Sequence, residues 1–211
     1  MRSALTKLQS DVLEAFFRRE QRFFLTGGAA LSGYYLGHRA TQDVDLFTTE
    51  DILEDAERIL TEVADELGGT IERVRTSPEF RRRLLRRGSE AVVVGLVRDR
   101  SPQIHSDKDI RGAVRVDTAD EIFANKLCAI LSRAEVRDLV DVMFLERAGL
   151  GLEEGLKNAA RKDAGLTAGQ LGYVLSQVSL GDDASVPGAT VAELRDYLAN
   201  FVSKLARFTL P

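Results

Sequence analysis

Residues 25–47, LTGGAALSGYYLGHRATQDVDLF, constrain the fold more than any other stretch of the chain. Arg22 to Thr26 (RFFLT) reads as a short buried strand, and Gly27-Gly28 breaks it. A helix from Ala29 to Leu36 follows, with Gly37 placed to end it. Asp43 to Phe47 (DVDLF) alternates polar and apolar residues and reads as a second strand. Side chains two apart on a strand share a face, so Asp43 and Asp45 point one way while Val44 and Leu46 point into a core. Two hard carboxylates on one face suit Mg²⁺, which binds through few carboxylates plus substrate phosphates. Gly27 and Gly28, lacking Cβ, let the backbone approach such a phosphate. Each piece alone is weak, because Gly-Gly is usually only a turn and Asp-x-Asp arises by chance. The combined order is much harder to reach by accident.

Around this segment the hydrophobic pattern predicts helices over 4–20 and 51–67, and strands over 70–75 and 90–97. EAVVVGLV, the most β-rich run, reads as a central strand. EFRRRLLRR at 79–87 reads equally as strand or loop. From about residue 118 the pattern turns helical, with helices near 119–132, 134–148, 151–164, 167–179 and 190–208. The expected organisation is an α/β core over 1–117 and a helical domain over 118–211.

The helical half holds a second constellation in EIFANKLCAILSRAEVRDLVDVMFL, residues 121–145. Lys126, Arg133 and Arg137 fall close to one helical face, followed by Asp138 and Asp141, in otherwise apolar surroundings. Charges on a mostly apolar helix need partners. A triphosphate with its metal at the domain junction would serve, and so would an internal ladder with Arg137 paired to Asp141. Arg39, between the first helix and the Asp strand, is read equally as a triphosphate ligand or as half of a structural ion pair.

Gly-Gly, helix and Asp-x-Asp resemble the signature of the DNA polymerase β-like nucleotidyltransferase superfamily. YLGHR ahead of DVDLF is similar to the AbiEii/AbiGii abortive-infection toxin family within it. Lys126, Ala129, Arg133, Arg137, Asp138 and Asp141 keep the spacing of that family's C-terminal motif. The resemblance implies an α+β fold: a polymerase β-like core, with a small mixed sheet and helices, followed by a C-terminal helical domain whose first two helices complete the active site. It implies Mg²⁺ on Asp43 and Asp45, NTP phosphates on the Gly27-Gly28 turn, nucleotide or phosphate contact by Lys126, and catalysis by Asp138 with Asp141 in reserve; Arg39 and Arg133 are added to the nucleotide-binding candidates on their charge and place in the two motifs. The implied reaction is NMP transfer from an NTP to an acceptor such as a tRNA end, in a toxin with a cognate antitoxin. Modification of the antitoxin or another protein, and nucleotide binding without turnover, stay open as alternatives.

Two departures bear on this. Many superfamily members have Gly-Ser where this chain has Gly-Gly, which removes a hydroxyl, though Thr26 adjoins the turn. Gly95 stands where relatives place a third carboxylate, leaving Asp99 or Glu90 as substitutes.

Composition narrows the field further. The net charge of -4 gives no global drive toward nucleic acid, although Arg81, Arg82, Arg83, Arg86 and Arg87 form a local basic cluster. That cluster reads as an RNA-contacting strip or as an ion-paired face. One cysteine and two distant histidines exclude a disulfide framework and zinc spacing. The charged N-terminus and the lack of a long apolar run point to a cytoplasmic protein off the membrane. No P-loop, dinucleotide fingerprint or nucleophile elbow is present.

Overall fold

A computed structural model describes residues 4–208. They form two compact units: one of residues up to 100 with 107–118, the other of 101–106 with residues from 119 onward.

The first unit is built on a seven-stranded mixed sheet of order β3-β4-β5-β2-β1-β7-β6. Its strands are β1 (Phe24–Thr26), β2 (Asp43–Thr48), β3 (Thr70–Ser77), β4 (Phe80–Arg87), β5 (Glu90–Arg98), β6 (Asp109–Arg111) and β7 (Val114–Val116). β2 is central, antiparallel to β1 and parallel to β5. Its burial alternates as expected, with Val44 and Leu46 fully buried and both aspartates half-buried. Val92, Val94, Leu96 and Leu85 are buried on the same face as Val44 and Leu46. Helices α1 (Lys7–Phe17) and α3 (Leu53–Glu66) add Leu13, Phe16, Phe17, Leu60 and Val63 to the core. Phe16 packs edge-to-face on Phe17 and Phe23. A capping box between Thr6 and Gln9 starts α1.

Three sequence expectations change here. First, the helix after β1 begins at Gly27 itself: α2 (Gly27–Ala30) runs directly into a π-helical turn, Leu31–Tyr35. Gly27 makes the bend with φ +66°, a left-handed value that glycine adopts without strain. Second, the arginine-rich run is a full strand. Two-residue connections tie it into hairpins on both sides, with Ser77 paired to Phe80 and Arg87 paired to Glu90. Third, β6 and β7 escape the sequence reading, because three-residue strands are too short to show periodicity.

The second unit contains α4 (Ala119–Arg133), α5 (Val136–Arg147), α6 (Leu152–Lys162), α7 (Ala168–Ser176) and α8 (Val191–Arg207). α4 packs against α5, α6 and α7, and α8 against α5 and α7. Gly155 lets α6 approach α4 closely, since a Cβ there would lie 2.6 Å from the Phe123 ring. Segment 101–106 is fastened by the buried Glu121, whose Oε2 accepts from the backbone N–H groups of Ile104 (2.8 Å) and His105 (3.0 Å). Glu121 also pairs with Lys162. Among the described residues no helix is long and apolar enough to cross a membrane.

Candidate active site

On the face of β2 opposite the core, sheet register sets four residues in a row: Arg82 on β4, Gly95 on β5, Asp45 on β2 and Thr26 on β1. Directly paired residues in a sheet point to the same side. The Asp45 carboxylate lies between two bare glycines. A Cβ at Gly95 would be 2.7 Å from its Oδ1, and one at Gly27 would be 3.5 Å from its Oδ2. Asp43, two residues back on the same face, accepts from Arg82 Nη2 at 3.0 Å.

The Gly-Gly turn is lined from beneath. A Cβ at Gly28 would meet Arg39 Nη2 at 2.7 Å, so the mostly buried Arg39 guanidinium lies against the bare face of that glycine. The sequence reading joins Gly28 and Arg39 only through a shared ligand; the structure brings them into direct contact.

Thr26 does not stand in simply for the missing serine. Its hydroxyl donates to the buried Asp117 at 2.8 Å, and Lys108 Nζ donates to the other Asp117 oxygen at 2.8 Å. Lys108 also sits 4.3 Å from the Phe24 ring centroid. The Tyr35 hydroxyl donates to the Asp117 carbonyl at 2.8 Å. Sequence reasoning missed Asp117 and Lys108 because they flank the β6–β7 hairpin, whose strands are too short to show a period.

Neither substitute for the third carboxylate reaches Asp45. Asp99 lies past the end of β5, four residues or roughly 13 Å from Gly95 at about 3.3 Å per residue. Its N–H donates to Thr48, at the far end of β2. Glu90 lies at the other end of β5 and is paired with Arg87 at 2.9 Å. Among the described residues no group of three His, Cys, Asp or Glu is placed to hold a metal. The two carboxylates with the open glycine cradle fit one hard cation that completes its shell with water and phosphate oxygens.

The arginine cluster of β4 is matched by acids. Arg83, 1% exposed, and Arg81 both pair with Glu57 on α3. Arg86 pairs with Glu72, and Arg87 with Asp11 and Glu90.

In the helical unit, Lys126 is clamped between Asp138 Oδ1 and Asp141 Oδ2, each at 2.7 Å, and both acids are fully buried. Arg133 Nε donates to Asp138 Oδ2 at 2.8 Å. Arg137 pairs with Glu135 at 2.6 Å, so the anticipated Arg137–Asp141 ladder gives way to the Lys126 clamp. Burial opposes the charge on Asp138, but Lys126 and Arg133 outweigh it and hold the carboxyl below its ordinary range. Asp138 is therefore ionised at neutral pH, fixes the Lys126 ammonium and makes a weak proton acceptor. Burial pushes the Cys128 thiol up to about 11, which leaves it a packing residue.

The fold is shared with solved structures. MenT4, a nucleotidyltransferase toxin from Mycobacterium tuberculosis H37Rv, superposes with a TM-score of 0.65 at 16% identity, over 97% of this chain and 82% of that one. JHP933 from Helicobacter pylori does so with a TM-score of 0.58 at 20% identity, over 95% and 91%. The antibiotic-resistance factor ANT(2'')-Ia gives 0.50 at 17% identity, over 72% and 88%. No curated protein sequence matches significantly. The profile described as nucleotidyl transferase AbiEii toxin, type IV toxin–antitoxin system, matches residues 11–208. With that match spanning both units, the chain belongs to the AbiEii family of nucleotidyltransferase toxins.

Proposed function

We propose that this nucleotidyltransferase moves NMP from an NTP to an RNA end such as that of a tRNA, with Mg²⁺ on Asp43 and Asp45. The observation that carries the reading is the Asp45 carboxylate held between the bare faces of Gly27 and Gly95, with Asp43 on the same face. Bound there, Mg²⁺ would neutralise charge developing on the phosphates during in-line displacement. The backbone at Gly27 and Gly28 and the Arg39 guanidinium hold the triphosphate. In the helical unit Lys126, oriented by Asp138 and Asp141, and Arg133 offer positive charge of the kind that binds phosphate oxygens. Asp138 acts in this reading as the anchor of Lys126, not as a base.

The RNA acceptor rests on the family resemblance, since the β4 arginines that would track a phosphate backbone are ion-paired. That pairing favours a second reading for the acceptor, a protein such as a cognate antitoxin, whose presence the family description supports. Incubating the chain with α- or γ-labelled NTPs, a tRNA pool and protein extract decides between them. α-Label on tRNA supports the first reading and α-label on protein the second. γ-Label alone, or no transfer with Mg²⁺ present, sinks nucleotidyl transfer by this chain.

A further inference from the structure

Arg82 is the one residue of the β4 cluster, among the described residues, that is paired with the candidate metal face. Arg81, Arg83, Arg86 and Arg87 pair with acids elsewhere, on α1, α3, β3 or at the start of β5. Arg82 instead crosses the bare Gly95 row and donates to Asp43 Oδ2 at 3.0 Å. A two-metal site holds its ions about 3.5–4 Å apart and needs enough anionic oxygens to flank both. Here, among the described residues, the face offers Asp43 and Asp45, while the neighbouring Asp117 is buried and bonded to Thr26 and Lys108. The position between Asp45 and Arg82 is glycine, and its open space is taken by Asp45 Oδ1. The guanidinium already places one fixed positive charge on an oxygen that a second ion would need.

We infer that Arg82 stands in for a second metal ion, so that the Asp43–Asp45 face takes a single divalent cation. The inference rests on the metal site proposed above and extends it to stoichiometry. In the absence of nucleotide, Arg82 competes with the ion for Asp43. With nucleotide present, the fork is available to the phosphate oxygens that a second ion would otherwise bridge.

The test is Mn²⁺ binding by the full chain, read from the electron paramagnetic resonance signal of free Mn²⁺, with and without a non-hydrolysable NTP analogue. The wild-type chain is expected to hold one Mn²⁺ per bound analogue. Without analogue, Arg82→Gln is expected to bind Mn²⁺ about tenfold more tightly, the size of effect that one neighbouring unit charge has on a carboxylate's proton affinity. Arg82→Lys, which keeps the charge, should stay close to wild type, and this separates charge from a folding defect. Two Mn²⁺ per wild-type chain, or unchanged affinity in Arg82→Gln, overturns the inference. Asp45→Asn distinguishes the two layers: if it keeps Mn²⁺ binding, or the wild type binds none, the metal site itself is misplaced and the inference falls with it. If Asp45→Asn loses the ion while Arg82→Gln changes nothing, only the role of Arg82 fails.

Discussion

At the scale of single residues, the two motifs differ in how much of their chemistry can be read from spacing. Asp43 and Asp45 sit where strand alternation puts them, because a period of two leaves no freedom about which side chains share a face. Their neighbours are another matter. Arg82 is 39 positions from Asp43 in the chain, and only the β2–β5–β4 register brings them together. Asp138 is similar: its place in the motif is legible, but its bond to Lys126 depends on how α5 packs on α4. That packing carries a cost if disturbed. Asp138→Asn removes the charge from a fully buried group that binds two cations, so the variant should lose about 1–3 kcal/mol of unfolding free energy, with Asp141 still holding Lys126. Urea unfolding followed by circular dichroism measures it; a loss under about 1 kcal/mol would mean the clamp is solvated and weak.

At the scale of elements, a long hydrophobic period or a sharp Gly-Gly break is legible, and the three-residue β6 and β7 offer neither. α3, α4 and α8 run over 14, 15 and 17 residues, and the helical period marks them in the sequence. β4 was ambiguous because arginines occupy both of its faces; the buried Arg83 takes a core-side position by pairing with Glu57. The α4–α5 corner shows a third kind of local choice. Ala134 has φ 46°, left-handed and unusual for alanine, and its N–H closes α4 on Ile130. Such a position normally favours glycine. Ala134→Gly should relieve the strain and stabilise the chain by about 0.5–1 kcal/mol, after allowing for the looser unfolded chain. A thermal midpoint that falls in this variant would show that the corner is not strained.

For the whole molecule, acid sensitivity follows from the carboxylates held below their ordinary range. Burial disfavours the charge on Asp138 and on Glu20, but Lys126 and Arg133 outweigh it at Asp138, and Arg22 with two backbone N–H groups outweighs it at Glu20. Depressed folded-state values mean the unfolded chain binds more protons as pH drops. The stability from these groups is therefore complete above about pH 4.5 and lost as pH falls through and below the ordinary values of 3.8 for Asp and 4.5 for Glu. Exposed pairs such as Arg19–Glu66 add little, because solvent screens them. A series of urea midpoints should be level from pH 7 to about 5 and drop below about 4.5, and the drop should shrink in Asp138→Asn. A drop that begins near pH 6 would point to another group.

The space that Asp45 takes against Gly95 also sets the terms on which a further acid could enter this face. An acidic residue introduced at position 95 would need its neighbours to move before it could bind anything. The newcomer's first carbon would land 2.7 Å from an oxygen already there, beside a guanidinium committed to Asp43. Asp45 would have to swing away and Arg82 find another neighbour before the added acid could help. A third carboxylate at position 95 would therefore have to arrive together with shifts at the flexible ends of the Asp45 and Arg82 side chains.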